Sequence, residues 1–381
     1  MRGAGQPVAA GVVASLVGFA STFAIVLAGL RAAGATEREA ASGLLALSLT
    51  MGLAAVLLAW RTRVPVAIAW STPGAALLVS GGAVPGGWPA AVGAFAVTGA
   101  LVVLAGLWRP LEALLARIPP ALAAAMLAGV LLPVCLAPVR AAVELPALAL
   151  PAIGVWLVLT RVARAWAVPG ALVAAAVAVL ASGERGPGSS LGLLPVLEWT
   201  TPVLEAGALL SVAVPLFVVT MASQNLPGVA VLASFGFRTP LRPALVGTGA
   251  GTVVGAPFGG HAINLAAITA AMVAGPDAGP DPARRWVAAV SGGATYLALG
   301  LAAGLVTTAA AAAPGLLVEA VAGLALLGAL AASLAAAAAD EGRRDAAVVT
   351  FVVAASGITV AGISAPFWAL VAGLVVLAVR R

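Results

Sequence analysis

APFGGHAINLAAITAAM, residues 256–272, is apolar enough for a membrane interior yet cannot form one continuous helix. Gly259 and Gly260 break the backbone, and the apolar run after them reads as a helix beginning around His261. Length supports the break. Leu241 to Gly275 is 35 residues, too few for two ordinary spanning helices and a turn. Roughly five extended residues at 3.3 Å each, followed by about nine helical ones at 1.5 Å, cover the bilayer core instead. A second stretch has the same grammar: VPVAIAWSTPGAALLVS, residues 64–80, starts extended, then offers Ser71 or Thr72 as an N-cap and Pro73 as a first helical residue. Non-helical backbone at membrane depth is tolerated only where protein buries it or a polar cavity faces it. The plainer alternative is that these Gly and Pro residues mark loops between ordinary helices.

Composition fixes the solvent. Apolar residues make up 62% of 381 positions and charged residues 8%, and mean hydropathy is +1.14. A soluble domain carries about a quarter charged residues. The chain is therefore an all-α polytopic membrane protein. Its pI near 11.3 comes from arginines scattered singly and in pairs, with no basic face, so no nucleic-acid partner is expected. Cys135, the only cysteine, excludes an intrachain disulfide. The run Val8–Leu30 is too long for a signal peptide and reads as a retained first span.

The apolar runs make about fourteen spans, several short enough that twelve or thirteen remain open. They begin at Val8, Glu39, Val64, Trp88, Ile118, Leu145, Val168, Thr201, Pro243, Pro257, Arg285, Pro314, Ala346 and Ile363. With both termini cytoplasmic, fifteen of the nineteen basic residues fall inside; Arg31, Arg38, Arg140 and Arg185 fall outside. The positive-inside rule demands such alternation. Fourteen divides into 7+7, and an odd-numbered half is inserted upside down relative to its duplicate, the inverted repeat of secondary transporters. Ala10-Gly11 and Ala206-Gly207, near 196 positions apart, are a faint internal echo. The divisions are 1–138 (first-repeat spans 1–4 and the start of span 5), 139–200 (spans 6–7), 201–310 (second-repeat spans 8–11) and 311–381 (spans 12–14). Short strands plus half-helices are expected in spans 3 and 10.

Polar residues at membrane depth are functional candidates. His261 is the sole histidine, and imidazole is the side chain that loads and unloads a proton near neutral pH. It is assigned proton coupling; the alternative is a neutral imidazole that hydrogen-bonds a freed carbonyl. Asn264 is placed on the same helix face. Gln224 and Asn225 precede Pro227-Gly228, where span 8 is expected to stop. No Asp or Glu lies mid-span, so a carboxylate-built sodium site is not expected; neither is a metal cluster, a cofactor or catalysis. GAPFGGH lacks the Lys-Ser/Thr of a phosphate loop.

MASQNLPGVAVL (221–232), PFGGHAINLAAITAA (257–271), DPARRW (281–286) and AWSTPGAALL (69–78) resemble the signature segments of the bacterial benzoate–proton symporter family. The likeness spans essentially the whole chain. It implies benzoate uptake with protons and an architecture shared with nucleobase and sulfate/bicarbonate carriers. Spans 1–4 and 8–11 would form a core domain, and spans 5–7 and 12–14 a gate. In the nucleobase carriers a carboxylate follows the tenth-span strand; its aligned position here is His261, a replacement suited to an anion.

The expected site lies between the two half-helix N-termini, whose dipoles and free N–H groups suit a carboxylate. Ser71, Thr72, Gly259, Gly260 and His261 meet the carboxylate, Gln224, Asn225 and Asn264 orient it, and Phe19, Trp70 and Phe258 wall the ring. The expected partners are a small organic anion, protons and the bilayer of the bacterial inner membrane, compatible with a homodimer. An uncoupled anion channel or facilitator, or a carrier of another organic anion or nucleobase, are the competing functions.

Overall fold

A computed structural model describes residues 5–108, 119–182, 196–266 and 268–379. Arg2, Arg109, Arg117, Arg185, Arg380 and Arg381, used above to orient the chain, and Ile118, the expected start of span 5, lie outside the described residues. The first repeat runs through α1 (Gly5–Ala32), α2 (Glu37–Thr62), β1 (Ile68–Trp70), α3 (Thr72–Gly81), α4 (Gly87–Leu107), α5 (Pro120–Glu144), α6 (Pro146–Val162) and α7 (Ala167–Ser182). The second comprises α8 (Ala206–Ser234), α9 (Leu241–Gly255), β2 (Ile263–Leu265), α10 (Ile268–Ala274), α11 (Trp286–Leu301), α12 (Ala303–Ala311), α13 (Gly315–Ala338), α14 (Arg344–Ala355) and α15 (Ala365–Val379). A small hairpin, β3 (Thr359–Val360) and β4 (Ile363–Ser364), joins the last two helices. Seven described helices are long and apolar enough to cross a membrane, eight when α11 and α12 count as one span bent by 56°. The shorter helices and the two strand-plus-half-helix segments complete fourteen spans in 7+7 inverted repeats.

Local sequence explains the element ends. Thr36 and Glu39 form a reciprocal capping box that starts α2. Ser71 caps α3, its Oγ accepting from Gly74 N at 3.2 Å, with Pro73 in the first turn. At the far end of α10, buried Arg285 donates Nη1 to Ala274 O at 2.8 Å and Nε to Gly279 O at 2.9 Å. A cation thus meets the carbonyl end of that half-helix.

The two strands pair antiparallel, with Ile68 opposite Leu265, Ala69 opposite Asn264 and Trp70 opposite Ile263. Ile68 and Ile263 stand 195 positions apart, as do Trp70 and Leu265, close to the 196 that separates Ala10-Gly11 from Ala206-Gly207. Ala69 therefore pairs with its own counterpart, and the local two-fold axis passes through the Ala69–Asn264 pair. Packing obeys the same axis: α2 lies on α11 and α4 on α9, the two crossings being equivalents, while α5 lies on α13. Both equivalent crossings are closed by glycine. A Cβ on Gly52 would meet Gly293 O at 2.7 Å, and one on Gly99 would meet Gly249 O at 2.8 Å. Without a hydrophobic force between helices in lipid, such close backbone approach is what holds them.

Three expectations are corrected. The helix of span 10 does not begin at His261; Gly259 turns the chain at φ +90°, β2 comes next, and α10 starts at the described residue Ile268. Asn264 accordingly lies on a strand, and His261 precedes that strand rather than following it. Span 8 does not stop before Pro227-Gly228: a π-turn over Met221–Asn225 carries the helix on to Ser234.

Helix ends place ten described arginines (Arg61, Arg63, Arg161, Arg164, Arg238, Arg242, Arg284, Arg285, Arg343 and Arg344) at one face. Arg31, Arg38 and Arg140 lie at the other.

Gly52→Val is expected to destabilise the protein by about 1–3 kcal/mol through overpacking. Gly154→Ala, where a Cβ has nothing within 4 Å, is expected to leave stability unchanged or raised. Melting temperatures in detergent check the pair, and equal losses at both positions would contradict the close-approach argument.

Candidate functional site

The strand pair is the centre of the site, and its own backbone generates the demand for polar side chains. Ser71 N donates to Ala262 O at 2.9 Å and Ala266 N to Ala67 O at 3.0 Å. In an antiparallel ladder the residues between such pairs turn their N–H groups outward. Ile263 and Leu265 are those residues, and two buried side chains answer them. Thr252 Oγ1 on α9 accepts from Ile263 N at 3.0 Å, and Asn225 Oδ1 on α8 accepts from Leu265 N at 3.0 Å.

Ser71 is the hub where the strand becomes a half-helix. Its Oγ lies 3.0 Å from Thr220 Oγ1 of α8. Its carbonyl accepts from Ala75 N at 2.8 Å and from His261 Nε2 at 3.0 Å. A carbonyl only accepts, so this contact puts the imidazole hydrogen on Nε2. His261 Nδ1 is buried with no hydrogen-bond partner among the described residues, and the ring meets Phe95 edge-on with centroids 6.3 Å apart. With its amide oriented to satisfy both ends, Asn264 donates to Leu265 O at 2.8 Å and accepts from Ser71 N at 3.2 Å.

Ser71, Asn225, His261 and Asn264 are thus brought together, and all four are fully buried. Thr72 and Gln224 are half-buried at the margin. Phe19 and Trp70 also meet, with ring centroids 5.2 Å apart, and Phe23 and Tyr296 extend the cluster at 6.0 Å from Phe19 and 6.4 Å from Trp70. Trp70 Nε1 donates to Thr22 Oγ1 at 2.9 Å. Phe258 is elsewhere: its ring packs on exposed Trp199 at 5.4 Å, and Gly259 and Gly260 form the turn that leads to His261.

Beside the network lies a cavity of about 500 Å³ between α5, α8 and α13. Leu127, Val218, Met221 and Leu226 give it apolar walls, and Ser223 and Ser333 add hydroxyls. It lies toward the start of α5 and the end of α13, near the arginine-rich face. Its lining includes Ser223, next to Gln224, but not Ser71, His261 or Asn264.

Sequence reading missed Thr220, Thr252, Thr22 and Tyr296. Thr220 and Thr252 were visible as isolated hydroxyls inside apolar runs. The π-turn that aims Thr220 and Asn225 together left no residue pattern to read.

Two inverted halves whose broken spans pair with each other, beside an apolar cavity, define a membrane transporter. The fold agrees with solved anion carriers. The transmembrane domain of the cyanobacterial bicarbonate transporter BicA superposes with a TM-score of 0.63 at 17% identity, over 97% of each chain. SLC26A9 gives 0.65 at 14% identity, over 98% of this chain and 65% of that one. The sequence is more specific. A family model described as benzoate membrane transport protein matches residues 4–379, and the chain belongs to that family, whose members are transporters and not enzymes. The inner membrane protein YdcO of Escherichia coli strain K12 is 43% identical over 366 residues, 96% of this chain and 93% of the relative. A benzoate membrane transport protein of Acinetobacter baylyi is 29% identical over 366 residues, 96% of this chain and 92% of that one.

Asn225→Leu keeps the γ-branched shape but strips Leu265 N–H of its acceptor. The expected cost is about 1–3 kcal/mol for a buried orphaned donor, read as a lower melting temperature; wild-type melting would show that the bond carries no stability.

Proposed function

We propose that the protein imports a small aromatic carboxylate, benzoate, across the bacterial inner membrane together with protons, by alternating access. The observation that carries this reading is an apolar cavity large enough for a benzene ring, lined by the stretch of α8 from which Thr220 reaches the Ser71 cap of α3. The relatives' names supply support: one is a benzoate transport protein and another an inner membrane protein. The positive-inside rule assigns the arginine-rich face, and with it both termini, to the cytoplasm, so the cavity opens inward.

In this reading the ring lies against the walls of the cavity and of the Phe19–Trp70 cluster. Thr72 and Gln224, half-buried, reach the carboxylate. Ser71, Asn225 and Asn264 hold the strands and the α3 N-terminus in place, and Phe258, Gly259 and Gly260 shape the turn that seats His261. The α3 end provides most of the partner charge, because α10 has only seven described residues and a short half-helix sums fewer dipoles. His261 handles the proton. Nδ1 is its open acceptor, and Nε2 ties any change of charge to the α3 cap. Spans 1–4 and 8–11 move as a core against spans 5–7 and 12–14.

The test is uptake of labelled benzoate into proteoliposomes under an imposed pH gradient. Accumulation is expected when the outside is acid and is expected to collapse with a protonophore. Flux that ignores the gradient would instead identify an uncoupled facilitator, and flux of another organic anion or a nucleobase but not benzoate would reassign the substrate. His261→Gln retains an N–H for Ser71 O but titrates nothing. It is expected to exchange benzoate while failing to concentrate it, and concentrative uptake by this variant would remove His261 from the coupling role.

A further inference from the structure

The β3–β4 hairpin packs against the end of α3 and the first turns of α8, away from the large cavity. Its turn residues, Ala361 at φ 53° and Gly362 at φ 76°, are both left-handed, the two-residue turn whose twist matches its strands. Trp368 braces it to α15, Nε1 donating to Ile363 O at 3.2 Å and to Val360 O at 3.3 Å. The hairpin therefore belongs rigidly to the last helix.

Among the described residues, one side-chain hydrogen bond ties it to α8. Buried Ser364 donates Oγ to Ser211 O on α8 at 2.8 Å. That carbonyl is special: Pro215, four residues on, cannot return the N–H that a regular helix would give it, and a π-turn over Leu209–Ala213 opens the helix there. Ser364 also abuts the end of α3, where a Cβ on Gly81 would lie 3.8 Å from Ser364 Cβ. Between hairpin, α3 and α8 only about 20 Å³ of cavity remains, against about 500 Å³ beside the middle of α8.

We propose that the Thr359–Ser364 hairpin is the outer latch of the transport cycle. It closes the arginine-poor face by docking Ser364 on the proline-freed carbonyl of Ser211, and it must leave that carbonyl before the site can open outward. The proposal rests on the alternating-access reading above and adds the part that closes one side. Alternation requires one closed end at a time, and the smaller cavity beneath the hairpin assigns that end as the closed one. Breaking a single hydrogen bond at the closed end then biases the protein toward opening there, by the differential stabilisation of the two states.

The test uses a Cys135→Ala background, which removes the only native thiol. Gly81→Cys with Ser364→Cys places two Cβ atoms at the separation of a disulfide. The oxidised protein is expected to lose transport and the reduced protein to regain it; undiminished transport with the disulfide formed would overturn the latch. A second measurement needs no substrate. A reporter cysteine replaces Val212, which lines the closed end, and a membrane-impermeant thiol reagent is added from the arginine-poor side. Ser364→Ala is expected to raise its labelling rate roughly threefold to tenfold, the shift one hydrogen bond supports, and an unchanged rate refutes the latch. Absence of benzoate transport by the reduced protein and wild type alike, with labelling still accelerated, would fault the substrate assignment and leave the latch standing.

Discussion

Backbone that leaves the helix inside a bilayer has no water to satisfy it, so every freed N–H and C=O needs a protein partner. Here two broken spans serve each other. Three residues from each half pair as the smallest useful sheet, and the axis relating the halves runs through the pair Ala69–Asn264. A two-stranded sheet still has two outer edges. On β2 that edge is met by Thr252 and Asn225, while His261 and Thr220 fasten Ser71, where β1 passes into α3. The polar side chains at mid-membrane are therefore first a solution to a hydrogen-bonding problem. Their chemistry toward a substrate is built on that frame.

The axis also shows where symmetry stops. At the strand spacing of 195, Asn264 answers to Ala69 and His261 to Val66. Helix order and crossings are duplicated, but the polar side chains on these positions occur in one half only. A symmetric scaffold can supply two equivalent states of closure, whereas an asymmetric set of side chains lets one ligand bind in one orientation. The glycine contacts Gly52–Gly293 and Gly99–Gly249 are on the duplicated side of this division and belong to the scaffold.

Much of this was readable from residues alone, for identifiable reasons. The span count came from apolar length and arginine spacing, because insertion energetics act on composition. Ser71 and Pro73 announced the start of α3 because capping chemistry is local. The span 10 helix was placed too early, at His261, because two glycines signal a break without specifying the conformation beyond it. Only pairing with β1, which is remote in sequence, makes Ile263–Leu265 a strand. The same long-range contact moved Asn264 from a helix face to a strand and left the His261 ring on Ser71 O. Phe258 illustrates the converse: it looked like an aromatic wall by proximity in sequence, yet the Gly259 turn sends its ring to Trp199.

The end of span 8 was misread for a reason that explains how α8 works. Pro227 normally argues for a stop, since it withholds an N–H from Ser223 O and crowds the preceding turn. A π-turn absorbs this, with Leu226 N bonding Met221 O five residues back. In a regular α-helix Thr220 and Asn225 would point about 140° apart, at 100° per residue. Bonds that reach five residues back bring such residues onto one face, so Thr220 meets Ser71 while Asn225 meets Leu265. The same device stands twelve residues earlier, where the π-turn over Leu209–Ala213 precedes Pro215. One helix thus carries two opened turns. The inner one, with Met221, Ala222 and Ser223, borders the large cavity, while Ser211 in the outer one is held by the hairpin. A rigid, regular α8 would offer the strands one contact instead of two and present no freed carbonyl at either end. The irregularity is what allows a single span to fix the site, border the cavity and hold the hairpin.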